Sequence, residues 1–130
     1  MAIAVVRLGF PRASHEGLRL GTVRRPPRGV PKAQLANRDF YDVWLPALAP
    51  SPALLAFAHR SQLQDERSWK AFERRFRAEM HKPEPARVLD LLAALSHQAQ
   101  FSIGCYCENE ARCHRSLLRR LLAERGAQFA

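Results

Sequence analysis

Three cysteines lie within nine residues of one another, at Cys105, Cys107 and Cys113, and the last is followed at once by His114 and Arg115. Thiols beside an imidazole and a guanidinium could supply a nucleophile, a proton carrier and an anion-binding group. An odd, clustered set of cysteines is a poor disulfide framework, so we expect reduced thiols. Cys113, His114 and Cys107 are therefore candidate catalytic residues, and Arg115 is a candidate for binding an anionic substrate.

Two other interpretations of the cysteines stay open. Cys105, Cys107, Cys113 and His114 could bind a metal, but their spacing is not a common zinc framework, and adjacent ligands on a helix diverge by about 100°. We therefore assign no metal ligand and expect no cofactor. The cysteines could also be small core residues, and this interpretation fits Cys105 best.

The elements on either side of the cluster explain why it could act on anions. Residues 101–106 are apolar and too short for a helix, which predicts a strand. A helix is expected to begin near Arg112 or Cys113 and to end at Gly126. The carboxyl end of a strand facing a helix N-terminus is a common ligand crevice in α/β proteins, and its free N–H groups attract anions. A thiol in that first turn should have a lowered pKa.

The remaining segments alternate between strand and helix patterns. Residues 2–8 and 18–23 predict strands, and residues 40–45 predict a short strand or turn. Helices are expected after the Ser51 and Asp65 caps, the second one with a buried stripe, and again after a break at residues 83–85. The expected buried residues are Trp69, Phe72, Phe76 and Met80 in the second helix and Val88, Leu91, Leu92 and Leu95 in the third. The fold prediction is α/β, a single domain over residues 1–130 with a mixed or mainly parallel sheet covered by helices.

Positive charge is concentrated at the start of the chain. Residues 1–38 contain eight basic residues and one acidic residue, so they carry +7 of the net charge of +9. Residues 23–30, which we call the basic loop, contain two prolines and a glycine that exclude a helix. Such a segment suggests an anionic partner, either a phosphate-bearing small molecule or nucleic acid, although it could equally be solvated surface. Few aromatic residues lie near the loop in sequence, so we do not expect base stacking.

No membrane partner is expected, because no apolar run approaches the roughly 20 residues that a membrane span needs. Residues 1–7 are typical of a first strand rather than of a signal peptide. We expect a cytoplasmic location, which agrees with reduced thiols.

Several markers, in order, resemble the YeaO-like family, also called domain of unknown function 488. They are Pro11-Arg-Ala13, Arg25-Pro-Pro-Arg-Gly-Val30, Trp44-Leu-x-x-Leu-Ala-Pro-Ser51, His59, the pattern from Trp69 to Glu79, and Cys113-His-Arg115. The resemblance covers nearly the whole chain and implies a shared fold and site. By matching position it implies a site with Arg12, Arg25, Arg28, Cys105, Cys113, His114 and Arg115. Asp42, His59 and Glu79 are weaker candidates. Cys107 stands where relatives often carry an acidic residue.

Three functions follow as hypotheses. The first is an enzyme acting on a nucleotide, nucleic acid or phosphorylated metabolite, with Cys113 or Cys107 as nucleophile and His114 as acid or base. The second is a non-catalytic module that binds nucleic acid through the basic loop. The third is a metal or redox site built on the cysteines.

Overall fold

The protein is an α/β structure built on a four-stranded parallel sheet. In the computed structural model, which describes residues 2–130, the strands are β1 (Ile3–Arg7), β2 (Leu18–Gly21), β3 (Val43–Trp44) and β4 (Phe101–Cys105). Their order is β1-β4-β2-β3, and all paired strands are parallel. The α/β prediction is therefore confirmed, with the sheet parallel throughout the described residues. Met1, which the prediction placed in the first strand, lies outside them.

Four helices complete the fold: α1 (Pro52–Ser61), α2 (Glu66–Met80), α3 (Pro83–Leu95) and α4 (His114–Glu124). Their starts follow local signals, because Ser51 accepts from the Leu54 N–H and Asp65 accepts from the Ser68 N–H. The α4 helix ends just before Gly126, which adopts a positive φ of 81°. None of the helices in residues 2–130 is both long and apolar enough to cross a membrane.

The main core lies between the sheet and the helices. The α2 stripe of Trp69, Phe72, Phe76 and Met80 is buried as expected. These side chains pack with residues of the sheet and of α4: Ile3, Phe101, Ile103, Leu117, Leu118, Leu121 and Leu122. A second, smaller core cluster contains Cys105 and Cys113 together with Leu8, Val23, Leu35 and Tyr41. The cysteine site therefore has its own packing environment.

The third helix departs from the prediction in two ways. Pro83 and Pro85 do not lie in a break before the helix but form its first turn, where an N–H has no partner within the helix. Leu91 and Leu95 were expected to be buried but are 62% and 41% exposed. The buried face instead contains Pro85, Leu89, Leu92 and Ala93.

Candidate functional site

The carboxyl ends of three parallel strands meet at the site. Strand β4 is central and ends at Cys105, which pairs in register with Arg7 at the end of β1. On the other side, the Thr22 N–H that follows β2 donates to the Gly104 carbonyl over 3.0 Å. Every residue of β4 is buried. The sheet therefore presents one rigid edge, and the segments that follow the strands line it.

Cys105 and Cys113 bring their sulfurs into contact at this edge. The two Sγ atoms are 2.9 Å apart, and the residues are 1% and 2% exposed. Cys113 is the N-cap of α4 and has an extended backbone, with φ −129° and ψ 155°. The loop between them is ordered by Asn109, whose side chain accepts from the Ala111 N–H. All three cysteines are free thiols, which agrees with the prediction.

The neighbouring imidazole of His114 is held in one tautomer. Its Nε2 lies 2.6 Å from the Thr22 carbonyl oxygen, which can only accept a hydrogen bond. Nε2 must therefore carry the proton, and Nδ1 presents a free lone pair 3.6 Å from Cys113 Sγ. Burial lowers the pKa of His114, so the ring is neutral at neutral pH. His114 is therefore positioned to accept a proton from a thiol.

The three thiols share one favourable position for negative charge, at Cys113. The hydrogen bond from the Cys105 thiol and the interaction with the Cys107 thiol lower the pKa of Cys113 despite its burial, and the Arg115 N–H adds to this effect. The pKa of Cys105 is raised by its interactions with the Cys107 and Cys113 thiols and by burial. The interaction with Cys105 lowers the pKa of Cys107, but the interaction with Cys113 and burial outweigh it, so the pKa of Cys107 is raised overall. Cys113 is therefore the first thiol to ionise.

Arg115 is a buried charge next to the cysteine cluster. The residue is 4% exposed, its Nη2 donates to the Cys107 carbonyl over 2.6 Å, and its Nε is buried without a hydrogen-bond partner among the described residues. Burial alone would lower the pKa of its guanidinium, but the neighbouring negative charge at Cys105 and Cys113 raises it. In this position Arg115 is a counter-charge for a thiolate and fixes the loop that carries Cys107.

A cavity of about 540 Å³, which we call the arginine pocket, opens beside this cluster. Cys107 lies on its wall and is the exposed member of the three thiols. Four arginines line the pocket, namely Arg7, Arg24, Arg25 and Arg28, together with Cys105, His114 and the apolar residues Leu8, Val23, Pro26, Pro27, Phe40, Pro50, Leu55 and Tyr106. The pocket thus combines an apolar interior with positive charge and a thiol.

Side-chain contacts anchor the basic loop over this pocket. Arg24 donates to the carbonyls of Ala49 and Pro50, each over 3.1 Å, and the Tyr106 hydroxyl donates to the Arg25 carbonyl over 2.9 Å. Arg25 and Arg28 are exposed, and neither has a carboxylate within 4.0 Å among residues 2–130. Their charges are available to a ligand.

The family comparison agrees with the markers in the sequence. The model of the family described as the active DUF488-N3 subclade matches residues 3–126, which is almost the entire chain. The chain belongs to the DUF488 family. Searches of the curated proteins and of the solved structures found no match. The resemblance expected from the sequence is thus confirmed at the level of the family.

In this DUF488 protein, Arg12 is placed apart from the pocket. Its guanidinium is paired with Asp42, at 2.7 Å, and lies 3.6 Å from Asp39. Asp42 also accepts from the Arg19 N–H, and the Arg19 guanidinium is buried against Glu16 at 2.8 Å. Arg12 and Asp42 therefore belong to a structural charge network, and the structure does not bring Arg12 to the cysteine cluster or the arginine pocket.

The weaker candidates also lie elsewhere. Glu79 accepts from the Ser51 N–H and hydroxyl, and so fixes the start of α1. His59 is exposed in the last turn of α1, as a helix-end residue would be. Neither residue lines the arginine pocket.

The sequence reasoning missed several residues of the pocket. Arg7, Arg24, Phe40 and Tyr106 line it, and Thr22 orients His114 through its backbone carbonyl. Arg24 and Tyr106 could have been suspected, because each adjoins a candidate residue in the chain. The contribution of Thr22 has no sequence signal, since any residue supplies a carbonyl.

The metal interpretation has better geometry than the sequence suggested. Donor atoms of Cys105, Cys113 and His114 all lie within 4.8 Å of one another. The expected divergence of Cys113 and His114 applies to two residues inside a helix, but Cys113 has an extended backbone and precedes the helix. Its sulfur therefore lies on the same side as the His114 ring. Two thiols and one imidazole are ligands that zinc accepts.

Proposed function

We propose that this DUF488 protein is a thiol-dependent enzyme whose substrate, a nucleotide, nucleic acid or phosphorylated metabolite, binds in the arginine pocket. The proposal is carried by one observation: an exposed thiol, Cys107, lies on the wall of an arginine-lined pocket together with Cys105 and with His114, whose tautomer is fixed and whose free Nδ1 faces the more acidic thiol of Cys113. The free thiols also fit a reducing compartment, and we propose the cytoplasm.

The substrate's phosphate would bind at Arg25 and Arg28. Both side chains are exposed at the pocket and lack acidic partners within the described chain, so they can form charge-assisted hydrogen bonds with phosphate oxygens. Arg115 does not line the pocket, so in this proposal it stabilises the thiolate rather than touching the substrate.

Proton transfer would run from Cys107 to Cys113 and then to His114. Cys107 would transfer its proton to Cys113, which raises the pKa of Cys107 and whose sulfur lies 3.6 Å from the free Nδ1 of His114. The Thr22 carbonyl, already bound to Nε2–H, would stabilise the imidazolium that forms. A thiol of raised pKa is a stronger nucleophile once it has lost its proton. Cys107 would therefore attack an electrophilic atom of the substrate. The new bond from the Cys107 sulfur forms as the bond to the leaving group breaks, and the proton held at His114 passes to that leaving group.

Alkylation by iodoacetamide, located by mass spectrometry, tests this proposal. We expect Cys107 to be alkylated first, and AMP to protect it in the wild type but not in Arg28→Ala. Arg38→Ala is the matched control, because Arg38 is exposed in the same basic segment but does not line the pocket. If Cys113→Ser leaves the pH dependence of Cys107 alkylation unchanged, the relay is wrong. If neither AMP nor other phosphate compounds protect Cys107, the substrate class is wrong.

A metal centre is a second candidate, because the His114 tautomer also suits it. A histidine that donates one ring N–H to a carbonyl and presents the other nitrogen is the usual arrangement of a metal ligand. Cys105, Cys113 and His114 would hold the ion, and the chemistry supplied would be that of a Lewis acid. Protein purified without chelator should then contain one zinc per chain, and His114→Ala should lose it. A folded, metal-free wild-type sample that does not take up zinc or cobalt would exclude this candidate.

A further inference from the structure

A second cavity, of about 510 Å³, adjoins the basic loop and shares Pro26 with the arginine pocket. We call it the Tyr41 cavity. Its wall is mostly apolar and aromatic, with one free positive charge. The lining residues are Pro26, Val30, Lys32, Ala33, Leu35, Ala36, Tyr41, Asp42 and Trp44.

Tyr41 lines this cavity and has a hydrogen-bond donor that no residue uses in the described part of the chain. The residue is 4% exposed, and its hydroxyl is buried without a partner within residues 2–130. Its ring packs on Gly21, where a Cβ atom would lie only 2.4 Å from the ring, so this position depends on glycine. Burial raises the pKa of Tyr41, so the hydroxyl keeps its proton at neutral pH. A buried donor without an acceptor is costly, and a ligand acceptor would relieve that cost.

Trp44 supplies a fixed aromatic surface. It lies on the edge strand β3, is 44% exposed, and is held by a 2.8 Å hydrogen bond from its Nε1 to the Val23 carbonyl. A ring that is both exposed and immobilised can stack on a planar ligand with little loss of side-chain entropy. The sequence analysis found few aromatic residues near the basic loop in sequence and therefore predicted no base stacking. The structure differs, because residues from other segments come close to the loop. The structure places Phe40 and Tyr106 in one cavity and Tyr41 and Trp44 in the other.

The charges identify the kind of ligand. Lys32 is exposed on the Tyr41 cavity and has no carboxylate within 4.0 Å in the described part of the chain. Asp42 lies there too, but its charge is paired with Arg12. Lys32 and the pocket residues Arg25 and Arg28 therefore form one positive segment that passes from the first cavity to the second. Flat rings joined by regularly spaced negative charges complement this surface.

We propose that the two cavities hold two nucleotides of one single-stranded nucleic acid, with a base against Tyr41 and Trp44 and the phosphates along Arg25, Arg28 and Lys32. This inference rests on the proposed function and names a polymer, rather than a free nucleotide, as the ligand. It requires that the Tyr41 cavity contribute to the affinity for a polymer and not to the affinity for a free mononucleotide.

The chain provides its own reporter for a test. It contains two tryptophans, of which Trp44 is exposed and Trp69 is 6% exposed inside α2. Titration with a short oligothymidylate should quench the fluorescence of Trp44, and this signal should be absent in Trp44→Phe. Tyr41→Phe, which removes one hydroxyl, should weaken oligothymidylate binding about 3- to 10-fold and leave thymidine monophosphate binding unchanged.

Matched lysine variants test the path of the phosphates. Lys32→Gln should lower the slope of log affinity against log salt by about 0.7, the value for one phosphate of a single strand. Lys70→Gln, which removes an exposed lysine on α2, should leave the slope unchanged.

Failure of the inference can be distinguished from failure of the proposed function. Suppose that Arg28→Ala weakens the binding of both oligothymidylate and thymidine monophosphate, while Tyr41→Phe and Lys32→Gln weaken the binding of neither. The arginine pocket then binds nucleotides, and the Tyr41 cavity is not a subsite. The same conclusion follows if the oligonucleotide binds no more tightly than the monophosphate. If neither compound binds at low salt, the inference falls, and the proposed function keeps only its phosphorylated-metabolite form.

Discussion

Replacing Cys105 with alanine should raise the pKa of Cys113. The Cys105 thiol donates to the Cys113 sulfur over 2.9 Å and is the largest single contribution to the acidity of Cys113. Cys105→Ala removes that donor but leaves the Arg115 N–H in place. A thiolate that loses one of its donors is less stable relative to the thiol, so its pKa must rise.

The size of the rise can be worked out from the contact. A hydrogen bond to a charged group contributes about 1.5–3 kcal/mol, and one pKa unit corresponds to about 1.36 kcal/mol. Losing the bond should therefore raise the pKa of Cys113 by about 1–2 units. Cys105→Ser is the matched control, because a hydroxyl can still donate at this buried position, and its effect should be smaller.

Ultraviolet absorbance of the thiolate as a function of pH measures this shift. The chain has three cysteines, so in a Cys107→Ser background Cys105→Ala leaves Cys113 as the sole thiol.

The pH dependence of folding stability should change together with the pKa of Cys113. The pKa of Cys113 is lower in the folded than in the unfolded state, so its ionisation adds stability as the pH rises from the folded value to about 8.5. The stability that comes from ionisation of Cys113 is lost as the pH falls to the folded-state pKa. Because Cys105→Ala raises that pKa, it should narrow the pH range over which ionisation of Cys113 adds stability.

Two results would refute this reasoning. In the first, Cys113 titrates near 8.5 with or without Cys105, so its thiolate has no special environment. In the second, its pKa is low but does not respond to Cys105→Ala. Helix α4 and Arg115 would then determine the acidity, and the shared thiol cluster would have no electrostatic role.

Two further predictions concern stability and are measured by urea denaturation. Glu16→Ala leaves the buried Arg19 guanidinium without its 2.8 Å partner and should cost about 3–5 kcal/mol at neutral pH. Burial alone would raise the pKa of Glu16, but the bond from Arg19 lowers it overall. The wild type should therefore lose stability as the pH falls below the usual glutamate pKa, and the variant should lose less over the same range because it lacks the contribution of Glu16. Gly17→Ala should destabilise the protein far more than Gly29→Ala, although both glycines have positive φ. A Cβ atom at Gly17 would lie 2.1 Å from the Gln100 carbonyl oxygen, whereas a Cβ atom at Gly29 would have no other atom within 4 Å. Gly29→Ala should cost only the conformational strain, about 1–2 kcal/mol, and equal losses at the two positions would contradict the steric argument.

Elements with short-range signals were predictable from the sequence. The α2 helix begins after an aspartate cap, and its aromatic stripe has the spacing of one helix face. The α3 helix was harder, because Val88, Leu91, Leu92 and Leu95 also recur at helical spacing. The buried face is set instead by Leu89 and Leu92, together with the small residues Pro85 and Ala93, whose burial a pattern of large apolar residues does not reveal.

The proximity of candidate residues was predictable where neighbours in sequence are neighbours in space. Cys105 and Cys113 lie eight positions apart on a strand and on the cap of the next helix, and their contact follows from that connection. Arg12 was misplaced for the opposite reason. Its partner Asp42 lies 30 positions away, and nothing in the local sequence of either residue indicates the pairing.

The segment formed by residues 22–25 contacts both His114 in the cysteine cluster and the aromatic residues of the two cavities. The carbonyl of Thr22 fixes the His114 tautomer, the carbonyl of Val23 holds Trp44, and the carbonyl of Arg25 accepts from Tyr106. The same segment leads directly into the arginines that line the pocket. A phosphate that binds Arg25 and Arg28 would therefore also affect the backbone at the end of β2, where the Thr22 carbonyl orients the His114 imidazole. Occupancy of the arginine pocket and the proton position at His114 should consequently be coupled, because both depend on the backbone of residues 22–25 rather than on side chains that could be exchanged independently.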